Sequence, residues 1–352
     1  MNVEITKDIK LGTKLIGSKH PPFIIAEMSG NHNHSLEKAL SIIDAAAESG
    51  ADAIKLQTYT ADTLTIKGAY TISDKKSLWF GRELYDLYNE AYTPWEWHEA
   101  LFKRAKERGI LCFSTPFDES SVDFLESLGN PFYKIASFEN NYHHLLSKVA
   151  KTGKPVIMST GITTLSELSE SVSVLKENAC TDLILLKCTS SYPASPESSN
   201  LRTIPEMQNR FSCPIGLSDH TMGIGVAVAA VALGAVVVEK HFTLSRAEGG
   251  VDSAFSLEPH ELKQLVEESK RAWLSIGNVS YEITEEEKKS ISFKRSIYIS
   301  ANIKKGEVIN HNNIRIIRPG FGIAPKFYEQ VLDKTAKADL KAGTPLTWDL
   351  IT

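Results

Sequence analysis

His220 and His241 each stand where an apolar run passes into a polar turn, in IGLSDHT and VVVEKHFT. They are 21 residues apart, the length of one strand, one helix and the next strand, which brings both imidazoles to one rim of a parallel sheet. Two neutral imidazoles on one rim can hold a divalent transition metal, and the adjacent acids Asp219 and Glu239 are placed to orient the rings from behind. No third strong ligand stands out in the sequence. Substrate oxygens and water would therefore complete an open coordination sphere, as a Lewis acid requires.

A second constellation carries positive charge. Lys55 and Lys134 lie inside the apolar runs AIKLQT and FYKIAS, where an unpaired ammonium is costly. Turned toward a shared mouth, they would bind a small phosphorylated carboxylate, with the hydroxyls of Thr115, Ser137, Ser159 and Ser218 adding neutral hydrogen bonds. One hydroxyl at such a place means little, because Ser and Thr are common in turns; four from different strands beside two lysines describe an anion pocket. A buried lysine of depressed pKa also suits a Schiff-base aldolase, but the paired histidines favour metal chemistry. Glu27, closing the run PFIIAE before SGNHN, is either a general acid/base or a helix cap. His32 and His34 read as loop residues.

The elements that must position these groups are legible as a rhythm. From about residue 23 to residue 277, eight short apolar runs alternate with amphipathic stretches: PFIIAEMS, AIKLQT, LCFSTPF, FYKIAS, PVIMST, LILLKCT, IGLSDHT and VVVEKHFT. Continuous apolar character suits strands covered on both faces. Helices are expected over 36–48, 120–127, 141–151, 165–177, 223–232 and 259–275. The long second connection, 59–109, contains TPWEWHEALFKRAKE, read as a helix capped by Thr93 with Pro94 next. A doubly wound open sheet shares much of this pattern, but nearly every run ends in a chemically capable group, as strands delivering their C-terminal ends to one site should. The expected fold is an α/β (β/α)8 TIM barrel over 1–278, a polar linker over 279–293 containing EEEKK, and a small β-rich module over 294–352.

Composition narrows the function classes. A net charge of -4 with 42% hydrophobic residues, and no basic run, argues against nucleic acid or a membrane surface as partner. No window is apolar enough to span a bilayer. Four cysteines without CxxC spacing read as buried thiols in a reducing compartment. The expected location is the cytoplasm.

In order along the chain, IIAEMSGNHN, GADAIKLQTYTADT, STPFD, YKIASFE, STGI, SSYPA, GLSDHT, EKHFT, RSIYIS and RPGFGI closely resemble the sialic acid synthase family, and within it the pseudaminic acid synthases. The C-terminal part resembles that family's antifreeze-like, or SAF, domain. The resemblance implies a transferase that condenses phosphoenolpyruvate with an open-chain amino-sugar aldehyde, giving a nine-carbon 2-keto acid and phosphate. It implies that His220 and His241 hold Mn2+, with Mg2+ or Co2+ as alternatives. Lys55, Thr115, Lys134, Ser137, Ser159 and Ser218 would hold phosphoenolpyruvate, and Glu27, Gln57, Ser190, Tyr192, Asp252 and Arg318 would meet the sugar. Family members are domain-swapped homodimers, in which the residue matching Arg318 enters the neighbouring barrel. The forms AEMSGN, CTSSYP and EGGVDSAFS depart from the sialic-type pattern and imply 2,4-diacetamido-2,4,6-trideoxy-L-altrose as acceptor. Rival readings are an N-acetylneuraminate or legionaminate synthase and a non-catalytic carbohydrate-binding protein.

Overall fold

The computed structural model describes residues 7–352, in two compact units that divide between Gly277 and Asn278. The first begins with a hairpin, β1 (Ile9–Leu11) and β2 (Lys14–Ile16), that sequence patterning did not announce. Eight parallel strands follow: β3 (Phe23–Glu27), β4 (Ala53–Thr58), β5 (Leu111–Pro116), β6 (Tyr133–Ile135), β7 (Val156–Ser159), β8 (Leu183–Cys188), β9 (Ile215–Asp219) and β10 (Val237–His241). Their order, β5-β4-β3-β10-β9-β8-β7-β6, is that of a TIM barrel. Each falls on one of the eight apolar runs. β5 and β6 lie side by side without a continuous ladder, and Asn130 spans the seam. Its Oδ1 accepts from the Ser114 N–H at 3.1 Å and its Nδ2 donates to the Phe132 carbonyl at 2.8 Å. One buried side chain thus supplies the donor and acceptor that a neighbouring strand would otherwise provide.

The helices are α1 (Leu36–Glu48), α2 (Ala61–Leu64), α3 (Leu84–Ala91), α4 (His98–Arg108), α5 (Glu119–Ser127), α6 (His143–Ala150), α7 (Leu165–Glu177), α8 (Thr203–Phe211), α9 (Gly225–Ala232) and α10 (Pro259–Ile276). Both α1 and α7 span the expected residues, capped by Ser35 and Thr164. Thr93 does not cap α4 as the sequence suggested. Trp95–Trp97 form a 3₁₀ turn first, and the Thr93 hydroxyl lies 3.2 Å from Nε2 of His32. Helix α8 was missed because Pro205 interrupts its first turn and no side chain caps it, although Ile204, Met207 and Phe211 line its buried face.

Strand residues alternate between two cores. Ile24, Ala26, Ile54 and Leu56 face the helices. Phe23, Ile25, Ala53, Phe113, Ile157, Ile184, Leu186 and Val237 fill the barrel interior, closed at the N-terminal end by Ile9, Leu11 and Ile16 of the hairpin. The interior positions turn polar toward the C-terminal end: Ala53 gives way to Lys55, Ile25 to Glu27, Ile157 to Ser159 and Val237 to Glu239. An apolar floor thus carries a polar ceiling.

In the second unit, α11 (Glu285–Lys288) precedes β11 (Ser296–Ile299), which pairs antiparallel with β12 (Ile314–Ile317); α12 (Tyr328–Val331) follows. Ile297, Ile299, Ile303, Ile309, Ile314, Val331 and Leu346 form its own core. Among the described residues no helix is long and apolar enough to cross a membrane.

Candidate active site

The barrel's C-terminal end holds a four-charge cluster. Lys55 Nζ lies 2.9 Å from Glu27 Oε2 and 2.9 Å from Glu239 Oε2, and Lys134 Nζ lies 3.7 Å from Glu239 Oε1. All four side chains are at most 5% exposed. Two ammonium groups and two carboxylates cancel, which is how the interior tolerates them. Glu239 faces both lysines, and although burial opposes its charge their attraction holds it down at about 2. Lys55 is pushed down to about 7 by burial, against the pull of Glu239 and with the push of Lys134.

This corrects one sequence expectation. Glu239 serves the lysines rather than the histidines, and Asp219 turns to the outer face to pair with Lys240 at 2.8 Å. Strand alternation turns Asp219, next to His220, and Lys240, next to His241, to the outer face; Glu239, two residues before His241, shares the inward face and meets the lysines there.

Hydroxyls surround the cluster. Ser159 Oγ accepts from Lys134 at 2.7 Å, Ser218 Oγ donates to Glu239 Oε1 at 3.0 Å, and Ser137 Oγ accepts from the Gly161 N–H at 3.1 Å. The Thr115 hydroxyl is buried without a partner. A Cβ at Gly161 would lie 2.2 Å from Ser190 Oγ and 2.7 Å from Ser137 Oγ, so any larger residue there would displace both hydroxyls. Glu27 Oε1 accepts from Gln57 Nε2 at 3.0 Å and from the Ser29 N–H at 2.9 Å, leaving Oε2 to Lys55.

The imidazoles of His220 and His241 have ring centroids 5.4 Å apart. His220 Nδ1 donates to the Thr189 carbonyl at 2.9 Å, because a carbonyl can only accept; burial opposes the ring's charge, but Cys188 and that carbonyl raise it above its ordinary value, and Nε2 offers a lone pair once the ring is neutral. His241 is driven well below its ordinary value by burial and by His220 and Lys55. It is therefore neutral at physiological pH, and its Nδ1 is buried without a hydrogen-bond partner, 3.8 Å from Asp252 Oδ2. A His220 ring whose Nδ1 is fixed by the backbone, and an unpartnered buried His241 nitrogen beside a carboxylate, fit a divalent cation, which would take the place of the His220 Nε2 proton. Among the described residues, the one place where three ligand atoms already crowd together is Glu258, His260 and Glu261, but Arg246 is bonded to both glutamates and neutralises them.

Several contributors were not singled out from sequence. Glu139, in the 3₁₀ turn after β6, is buried with Oε2 unpartnered, and burial raises it to about 7 against the pull of Lys134 and Lys55. Ser29 Oγ bonds Asp252. Cys188 lies 3.9 Å from His220 Nδ1; burial opposes its ionisation, but His220 draws the thiol down to about 7. Phe255 packs on His241 at 4.9 Å, beside Tyr192, which the sequence did single out and which packs on His220 at 4.4 Å. Trp79, from the long second connection, reaches Tyr192 at 5.8 Å and donates to the Val251 carbonyl at 2.9 Å. The signal that could have found Glu139 is an acid two residues beyond a strand-end serine. Arg318 follows β12 in the second unit. An apolar groove of about 540 Å3, near Leu233, Val236 and Trp273, opens at the other end of the barrel and contains none of these groups.

Residues 42–281 match the NeuB family and residues 294–352 the SAF domain. The chain is 46% identical to a pseudaminic acid synthase of Campylobacter jejuni, over 92% of this chain and 95% of that one. It is 37% identical to an N,N'-diacetyllegionaminic acid synthase of Legionella pneumophila, over 97% of each. The solved N-acetylneuraminic acid synthetase of Leptospira borgpetersenii superimposes with a TM-score of 0.74 at 35% identity, covering 82% of this chain and 96% of that one. An eight-stranded barrel with this charged rim, matched over most of its length and followed by a SAF domain, belongs to the NeuB family.

Proposed function

We propose that the chain condenses phosphoenolpyruvate with 2,4-diacetamido-2,4,6-trideoxy-L-altrose, releasing pseudaminic acid and phosphate by C–O cleavage. The observation that carries this reading is the compensated Lys55–Lys134 cluster on the same rim as the His220–His241 pair. One binds an anionic enol phosphate; the other suits a carbonyl. The choice of sugar rests on the higher identity to a pseudaminic acid synthase, 46% against 37% for the legionaminic relative, and on Ser190 and Asp252 at the mouth.

In this mechanism Lys55, Lys134, Thr115, Ser137, Ser159 and Ser218 hold the phosphate and carboxylate of phosphoenolpyruvate, charge-assisted bonds being the strong ones. Gln57, Ser190, Tyr192 and Asp252 orient the sugar. His220 and His241 would hold Mn2+, with Mg2+ and Co2+ as alternatives, and the bound ion supplies a Lewis acid for the aldehyde. C3 of phosphoenolpyruvate forms the new bond to the aldehyde carbon, and C2 acquires cationic character. Water adds at C2 and Glu27 takes one of its protons at Oε2, the aldehyde oxygen gains a proton to become the new hydroxyl, and the C2–O bond to phosphate breaks as the ketone forms, the second water proton leaving with phosphate. The lysines stabilise the departing phosphate. Arg318 of a domain-swapped partner would close the mouth, and the enzyme would work in the cytoplasm.

The test is phosphate release from purified protein with Mn2+, phosphoenolpyruvate and, separately, the altrose derivative, N-acetylmannosamine and the legionaminic acid precursor. Expected is a kcat/KM at least about 10-fold higher for the altrose derivative. A higher value for either other sugar overturns the sugar assignment, and no release with any of them overturns the reaction. Glu27→Gln should bind both substrates and lose turnover; full turnover would remove Glu27 from the proton transfers.

A further inference from the structure

The two histidines sit just beyond the point where their strands stop pairing. The described β9–β10 register ends at Asp219 opposite Lys240, one residue before His220 and His241. Beyond it, the His220 carbonyl is held by the Ala194 N–H at 3.0 Å and the His241 carbonyl by the Leu257 N–H at 2.8 Å, two separate loops. Besides the inner-face bond from Ser218 to Glu239, the two strand ends are tied on the outer face. Lys240 Nζ donates to Asp219 Oδ2 at 2.8 Å and to the Thr221 carbonyl at 2.7 Å, while Asp219 Oδ1 accepts from the Thr221 N–H at 2.9 Å. Lys240 therefore grips the residues on both sides of His220 from the strand that carries His241. Its side chain is 1% exposed and its partner's 2%, in the layer between strands and helices where apolar residues pack elsewhere.

A buried ion pair is weak evidence for stability, since apolar residues of similar volume often do as well. What it adds is geometry, and a metal site needs its ligands held to within about 0.5 Å. We infer that Lys240 and Asp219 are positioning residues: an outer-face clamp that sets the separation of the His220 and His241 imidazoles and so the affinity of the site for a divalent cation. This inference rests on the reading of the two histidines as metal ligands.

The test uses the full chain with Mn2+ alone. The double variant D219N/K240M removes the ion pair, leaves no orphan charge and keeps an acceptor for the Thr221 N–H; D219N/K240L is a second variant with the same property. Mn2+ affinity is measured by calorimetry, the bound ion's environment by electron paramagnetic resonance, and metal-free melting separately. Expected is Mn2+ binding weakened about 10-fold or more, an altered resonance spectrum, and metal-free melting close to that of the parent. Mn2+ affinity within twofold of the parent in the folded double variant overturns the clamp; if that variant does not fold, D219N/K240L decides by the same criterion. H220A and H241A separate the two ideas. Loss of Mn2+ binding in both, with normal binding in the clamp variants, refutes the clamp alone, whereas Mn2+ binding at parental affinity in both refutes the metal-ligand reading beneath it.

Discussion

Replacing Glu239 with Gln should make the empty protein weaker and its grip on phosphoenolpyruvate stronger. The carboxylate is 5% exposed and lies between Lys55 at 2.9 Å and Lys134 at 3.7 Å. Its drop from an ordinary 4.5 to about 2, at about 1.4 kcal/mol per pK unit, corresponds to about 3 kcal/mol of stability. That lies within the range of about 3–5 kcal/mol for breaking a buried pair. The sign follows from the depression: this stability is present above the ordinary carboxylate range and is lost as pH falls from about 4.5 through about 2. Gln can still accept from Ser218 and Lys55 but leaves the two lysines facing a single carboxylate, Glu27. A bound phosphoenolpyruvate trianion restores the missing charge, so the complex loses less than the empty barrel and affinity rises, by about tenfold if about 1.4 kcal/mol is recovered. Differential scanning calorimetry of the metal-free protein, with and without phosphoenolpyruvate, reads both effects. Expected is a melting temperature lower by several degrees and a larger upward shift on adding ligand. Unchanged melting of the empty protein, or weaker ligand binding, would refute the view that Glu239 stands in for the substrate's charge.

Two other perturbations follow. Lys55, lowered to about 7 from an ordinary 10.5, loses its proton as pH rises through 7. KM for phosphoenolpyruvate should therefore climb between about pH 6.5 and 8.5, while stability rises toward 10.5, by up to about 5 kcal/mol at about 1.4 kcal/mol per pK unit, because the unfolded chain binds the extra proton there; a KM flat across that range contradicts the assignment. Asn130→Ala should cost about 2–4 kcal/mol in urea unfolding, since the Ser114 N–H and Phe132 carbonyl would both lose their partner, and a loss under about 0.5 kcal/mol would show that the seam does not depend on that side chain.

How much was legible depended on the range of the interaction. The eight strands, α1 and α7 announced themselves through local apolar runs and local caps, because backbone hydrogen bonding and amphipathic burial act within a dozen residues. Helix α8 escaped because Pro205 and an uncapped start disguise a segment held by tertiary packing. The β1–β2 hairpin escaped because only the barrel floor gives its three apolar side chains a place to go. Glu139 was overlooked because an acid two residues beyond a strand-end serine is a weak pattern until Lys134 and Lys55 are seen nearby.

From the sequence alone came the barrel, the module after it, and the inward-facing residues His220, His241, Lys55 and Lys134, since strand alternation assigns a face to each position. Partnership was another matter. That Glu239 answers the lysines while Asp219 answers Lys240 is a consequence of which neighbouring strand each side chain meets, and strand neighbours are separated by tens of residues. Charge pairs form across the ladder, not along it, so only the closed barrel decides which acid neutralises which base.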